Sequence, residues 1–157
     1  MATVFQFQRG RFASATLANL FSELRHAHTA VQSAALELAK SCAEPSPDKT
    51  LRSNGWFKLS GAKKHLQLVF QFVCERINPF ASDAERRTIA TLVNDAESLN
   101  SFSCEHASVW TSDALTKNWA NYCAASKQMR ARILELVARE KALLYPILER
   151  LTLRGSK

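Results

Sequence analysis

Glycine and proline are scarce, four of each in 157 residues. That scarcity excludes collagen-like and proline-rich chains and argues against a turn-dense β architecture. The four cysteines, Cys42, Cys74, Cys104 and Cys123, are nowhere paired at CxxC spacing, so neither a zinc ribbon nor a dithiol redox motif is indicated. No apolar run reaches membrane length and no signal peptide is evident, which predicts a cytoplasmic setting with free, buried thiols. No stretch matches a P-loop, a dinucleotide-binding glycine pattern, HExxH or a nucleophile elbow, so no catalytic residue is assigned and no enzymatic reaction is favoured. Lysine and arginine exceed acidic residues to give a net charge of +7, but no basic run is longer than two residues. The excess reads as a solvated surface with no clear nucleic-acid signal and no membrane partner.

What the chain has is helical periodicity, with 46% hydrophobic residues in regular order. A first segment over about 14–43 carries Leu17, Phe21, Leu24, His28, Val31, Ala35, Leu38 and Cys42 at alternating steps of four and three. Ser14 is its expected N-cap. The stretch AEPSPDKTLRSNG, residues 43–55, has two prolines and an Asn-Gly pair and predicts a loop. A second helix follows, with Leu66, Val69, Phe70, Phe72, Val73 and Ile77 on its apolar face, ended by Asn78-Pro79. Ser82 and Glu85 form a capping-box pattern that opens a third helix, striped by Ile89, Leu92, Ala96, Leu99, Ser103, His106 and Trp110. A turn is expected around Thr111-Ser112-Asp113. The fourth helix spans about 116–152, with Trp119, Tyr122, Ser126, Met129, Ile133, Leu136, Glu140, Leu143 and Ile147 as its stripe. Four such helices predict an all-α, up-down-up-down four-helix bundle over 14–152. Residues 1–13, with Val4, Phe5, Phe7 and Phe12, are expected to form an arm lying on it.

Each apolar stripe or its helix carries one potential ligand: His28, His65, His106 and Glu140. His26 is placed on the opposite face from His28. A single buried histidine is ordinarily bonded to a neighbour, but a buried carboxylate without a partner costs several kcal/mol. Four such residues in one bundle therefore predict mutual satisfaction, through hydrogen bonds among them or through a metal held between facing helices.

The arrangement resembles the hemerythrin-like, or HHE cation-binding, family. Glu105-His106 stands where the family's third helix carries Glu-His, and His28 where its first helix carries histidine. Leu136-Val137-Ala138-Arg139-Glu140, followed by Leu143-Leu144-Tyr145-Pro146, fits the family's fourth-helix frame of His-x-x-x-Glu and a run ending in Leu-Phe/Tyr-Pro. The resemblance covers about residues 14–150 and implies the bundle fold. Leu136 replaces the fourth-helix histidine, and Val69 follows His65 where a second His-x-x-x-Glu would need glutamate. Alternatively, if Pro79 aligns with the family's downstream proline, Val69 itself takes the ligand position. Either register removes the complete di-iron centre.

Three functions follow. The chain is a non-enzymatic binding or regulatory protein whose polar cluster is vestigial, acting as a homodimer or on another protein. Or His28, His65, His106 and Glu140 hold a single metal ion, such as iron, zinc or manganese. Or Ala27-His28-Thr29 is a phosphoacceptor site like that of histidine phosphotransfer domains, although Val31 and Gln32 replace that family's lysine and glycine.

Overall fold

The computed structural model describes residues 2–47 and 49–155, with side chains except at 2–5, 7 and 49–54. The described residues are helical throughout, with no strand. The elements are α1 (Ala2–Ala13), α2 (Leu17–Cys42), α3 (Lys49–Ile77), a 3₁₀ turn (Asn78–Phe80), α4 (Asp83–Val109), α5 (Ser112–Lys117) and α6 (Trp119–Gly155). One hydrophobic core joins α1, α2, α3, α4 and α6.

Cross-helix pairs run in opposite residue order. Between α2 and α3, Glu37 meets Lys58 while Glu23 faces His65. Between α2 and α6, Arg25 meets Glu149 and Gln32 meets Lys141. Between α4 and α6, Glu85 takes Arg150 and Asp95 takes Arg139.

The caps explain where the helices begin and end. Ser82 Oγ accepts from Glu85 N at 3.2 Å, and Glu85 Oε2 accepts from Ser82 N at 2.7 Å, closing the expected capping box. Helix α3 stops at Ile77, and Pro79 is accommodated in the 3₁₀ turn that follows. The N-cap of α2 is Thr16, whose hydroxyl accepts from Asn19 N, and not Ser14. Ser14 instead donates back to the last carbonyls of α1, at Gly10 and Arg11.

The expected arm is a helix whose Phe12 is buried against Phe72 and His65. The side chains of Val4, Phe5 and Phe7 lie outside the described residues. Arg76 of α3 donates to the carbonyls of Ala13 and Ala15, satisfying acceptors that α1 leaves open at its C-terminal end.

Further expectations change. Asn54-Gly55 is not a turn but lies within α3. A Cβ at Gly55 would meet Leu38 Cδ1 at 3.2 Å, so the glycine serves close approach of α3 to α2. On α6 the buried stripe is Tyr122, Ser126, Met129, Ile133, Val137, Glu140, Leu144 and Ile147. Leu136 is half-buried and Leu143 is 39% exposed. A straight α-helix of 3.6 residues per turn drifts off a strict seven-residue repeat by about 20° per heptad, which moves the stripe onto Val137 and Leu144. Pro146 sits inside α6 on the exposed side, where the carbonyl it leaves unbonded faces solvent.

The expected turn at 111–113 is instead a Thr111-capped short helix. Cys74 is buried, Cys42 and Cys123 are half-buried, and Cys104 is exposed, so only one thiol is enclosed as expected. Among the described residues no helix is long and apolar enough to cross a membrane.

Candidate functional site

His28 lies in the middle of α2, fully buried, and Glu140 lies opposite on α6 with 2% exposure. The apolar stripe of each helix carries them inward: Leu24 and Val31 flank His28 by one turn, and Val137 and Leu144 flank Glu140. His28 Nε2 is 2.7 Å from Glu140 Oε2, and Nδ1 is 2.8 Å from Tyr145 Oη. The Tyr145 ring meets the edge of Phe21 at 5.2 Å, and the Arg25 guanidinium lies 4.1 Å over the Phe21 ring. These contacts fix the phenol beside the imidazole.

Burial pushes the Glu140 carboxyl up from its ordinary value, and the His28 hydrogen bond opposes that rise. Burial also raises the Tyr145 phenol, against the nearby Arg25 charge, so it keeps its proton. Two proton arrangements satisfy all three groups: Tyr145 donates to Nδ1 and Nε2–H donates to the Glu140 carboxylate, or a protonated Glu140 donates to Nε2 and Nδ1–H donates to Tyr145 Oη. In either one both ring nitrogens are hydrogen-bonded. Neither nitrogen is left for a metal, and the residues present do not fit an ion at this level. The same enclosure withholds His28 from a phosphoryl donor.

The other two histidines lie elsewhere. His65 has a 36% exposed side chain, packs beside Phe12, and has Nε2 3.9 Å from Glu23 Oε2. Glu23 is also bonded by Arg11 at 2.7 Å. His106 is buried between aromatic rings, 5.1 Å from Trp56 and 6.1 Å from Tyr122 by centroid. The four proposed metal ligands are thus one bonded pair and two separate histidines. Among the described residues no group of three or more histidine, cysteine, aspartate or glutamate side chains is placed to hold a metal. The positions where the resemblance would put further ligands are hydrocarbon. Val69 is fully buried in the core, and Leu136 lines a small cavity.

That cavity, about 30 Å³, lies between α3, α4 and α6 and holds two charged groups that face apolar walls, Lys63 and Glu140. Its volume suits about two waters. Lys63 is 9% exposed and donates to Ser103 Oγ at 2.6 Å, and Ser103 in turn reaches Met129 Sδ at 3.6 Å. Burial lowers the Lys63 ammonium from its ordinary value. Lys63 is not among the candidates from the sequence, yet the signal exists: Leu59, Lys63, Leu66 and Phe70 follow one another at steps of four, three and four. Tyr145 enters the sequence reading only as part of a Leu-Tyr-Pro run, and its role depends on a partner 117 residues away.

Comparison with known protein families, curated proteins and solved structures finds no match to this chain.

Proposed function

We propose that the chain is a divergent hemerythrin-like, up-down-up-down four-helix bundle acting as a non-enzymatic binding or regulatory protein. The opposite residue order across α2/α3, α2/α6 and α4/α6 supports that topology. The observation that carries the functional reading is the saturation of His28. Its two ring nitrogens are spent on Glu140 and Tyr145, so the polar level inside the bundle is complete without an ion. A group built for metal or phosphoryl chemistry keeps a nitrogen open. This one is closed on both edges, which supports association with a ligand, another protein or a second copy as the mode of action.

The test is elemental analysis of protein purified without a metal-affinity tag from cells supplied with iron, zinc and manganese. The reading expects below about a tenth of an equivalent of each, and no change in melting temperature with a chelator, because an ion that binds only the folded state stabilises it by mass action. Close to one equivalent, lost in both His28→Ala and Glu140→Ala, overturns it.

A further inference from the structure

A second polar site lies where the end of α4, the start of α6, α5 and the N-terminal half of α3 meet. A recess of about 290 Å³ opens there, walled by Trp56, Phe57, His106, Trp110, Leu115 and Tyr122. Its volume sits at the lower end of the roughly 300–1,000 Å³ typical of small-molecule sites, which suits one or two fused rings.

Its walls are held in place by contacts behind them. Trp110 meets Tyr122 edge-on at 5.6 Å, and Trp119 stacks on Tyr122 at 5.4 Å and 26°. Trp119 is itself anchored, its Nε1 donating to the Glu44 carbonyl at 2.9 Å. Tyr122 is 4% exposed, and burial pushes its phenol up to about 12, so it stays uncharged. Trp56 and Trp110 are half-buried and present ring surface to the recess.

Thr111, Ser112 and the Tyr122 phenol add polar groups to the lining, and His106 is the one with an unpartnered buried atom. It is 8% exposed, and its Nε2 is the one buried side-chain nitrogen or oxygen among the described residues with no hydrogen-bond partner. An orphaned polar atom of this kind is destabilising until a partner reaches it. Burial lowers the imidazole from its ordinary value, which keeps it neutral. In the tautomer with hydrogen on Nδ1, Nε2 presents an open lone pair, and the missing partner is then a donor. Among the described residues no lysine, arginine, aspartate or glutamate lines the recess, although the chain carries a net charge of +7, so an ionic ligand finds no counter-charge among them.

We infer that this recess is a binding site for a neutral, fused-ring heteroaromatic molecule that stacks against Trp56 and Trp110 and donates one N–H or O–H to His106 Nε2. The Trp56 ring lies 5.1 Å from the imidazole by centroid. The site is independent of whether an ion sits at His28, because none of its walls belongs to the His28, Glu140 and Tyr145 group.

Indole and 1-methylindole differ by the N–H alone and make the decisive pair of probes. Titration calorimetry on the full chain should show indole binding about tenfold more tightly than 1-methylindole, the worth of one hydrogen bond to a buried acceptor. In His106→Phe the two affinities should converge. In Trp110→Ala both should weaken. Tryptamine and indole-3-carboxylate, which carry charge, should each bind more weakly than indole. Absence of indole binding at millimolar concentration overturns the site. Equal affinities for the two indoles in the wild-type chain overturn the hydrogen bond, as does an undiminished preference in a folded His106→Phe. Tighter binding of either charged probe overturns the assignment of a neutral ligand. The wild-type comparison stands even if a variant does not fold.

Discussion

His28 holds Glu140 and Tyr145 at opposite edges of one imidazole ring, the carboxylate 2.7 Å from Nε2 and the phenol 2.8 Å from Nδ1. The three groups stabilise the bundle only as a set. Removing one partner of a buried, bonded pair costs about 3–5 kcal/mol, whereas replacing both by hydrocarbon is often neutral. Glu140→Ala is therefore expected to destabilise by about that amount in urea denaturation. The double variant His28→Leu/Glu140→Leu is expected to lose less than the sum of its single variants. Additive losses would show that the pair is not coupled. Tyr145→Phe removes only the phenol bond and is expected to cost about 1–2 kcal/mol.

Lys63 and Ser103 form a second buried polar pair with a different asymmetry. Ser103→Ala strands an ammonium beside apolar walls and is expected to destabilise by about 1–3 kcal/mol. Lys63→Met fills similar space without charge and is expected to be neutral or stabilising. Thermal melts of the two variants check the order. A Lys63→Met variant less stable than Ser103→Ala would mean that the ammonium has a partner beyond Ser103.

The pH dependence of stability isolates His106. Its folded-state proton affinity is lowered by burial below the ordinary value of 6.5. The unfolded chain therefore takes up the proton first as pH falls. The contribution is fully present above 6.5 and is lost as pH drops from there through the folded value. Glu140 tilts the other way, since its raised carboxyl binds a proton first in the folded chain and its contribution is lost as pH rises above 4.5. The difference between wild type and His106→Phe removes the Glu140 part. That difference is expected to show wild type losing stability relative to the variant on acidification below 6.5, measured by urea midpoints. A flat difference would place the imidazole in contact with water.

Local rules made much of this fold readable. The Ser82 and Glu85 cap, the stop at Asn78-Pro79, and the inward placement of His28, His106 and Glu140 follow from spacing and from backbone chemistry confined to one turn. The failures are nonlocal. Gly55 reads as a turn signal because only the Leu38 side chain, from another helix, explains a glycine there. Leu136 and Val137 trade places because a heptad count assumes about 3.5 residues per turn, whereas the buried positions of α6 drift as a turn of about 3.6 residues would carry them. The surroundings of His65 were hidden because Phe12, from the predicted arm, packs beside it. That both nitrogens of His28 are bonded could not be read from spacing at all, since Tyr145 supplies the second partner from a distant position.

The two glycines of α3 differ in what a methyl group would touch. At Gly61 an added Cβ meets nothing within 4 Å, so Gly61→Ala is expected to stabilise by about 0.8–1 kcal/mol through helix propensity alone. Gly55→Ala gains the same propensity but forces Leu38 to give way, and is expected to stabilise clearly less. Chemical denaturation of both variants checks the ranking, and equal gains would mean that the Leu38 contact yields freely.

Helix α1 owes its last turn to a guanidinium from α3, since Arg76 closes the carbonyls at Ala13 and Ala15. Twelve residues are too few to hold a helix alone in water, where isolated helices shorter than about 12–15 residues are marginal. Its order is thus conditional on docking, to which Phe12, Arg76 and the Arg11–Glu23 ion pair contribute among the described residues. In hydrogen exchange, α1 should behave as a separate cooperative unit that opens and recloses while α2, α3, α4 and α6 stay protected. Each opening would uncover the faces of Phe72 and His65 against which Phe12 packs, giving the chain a second, transient surface that the closed form hides.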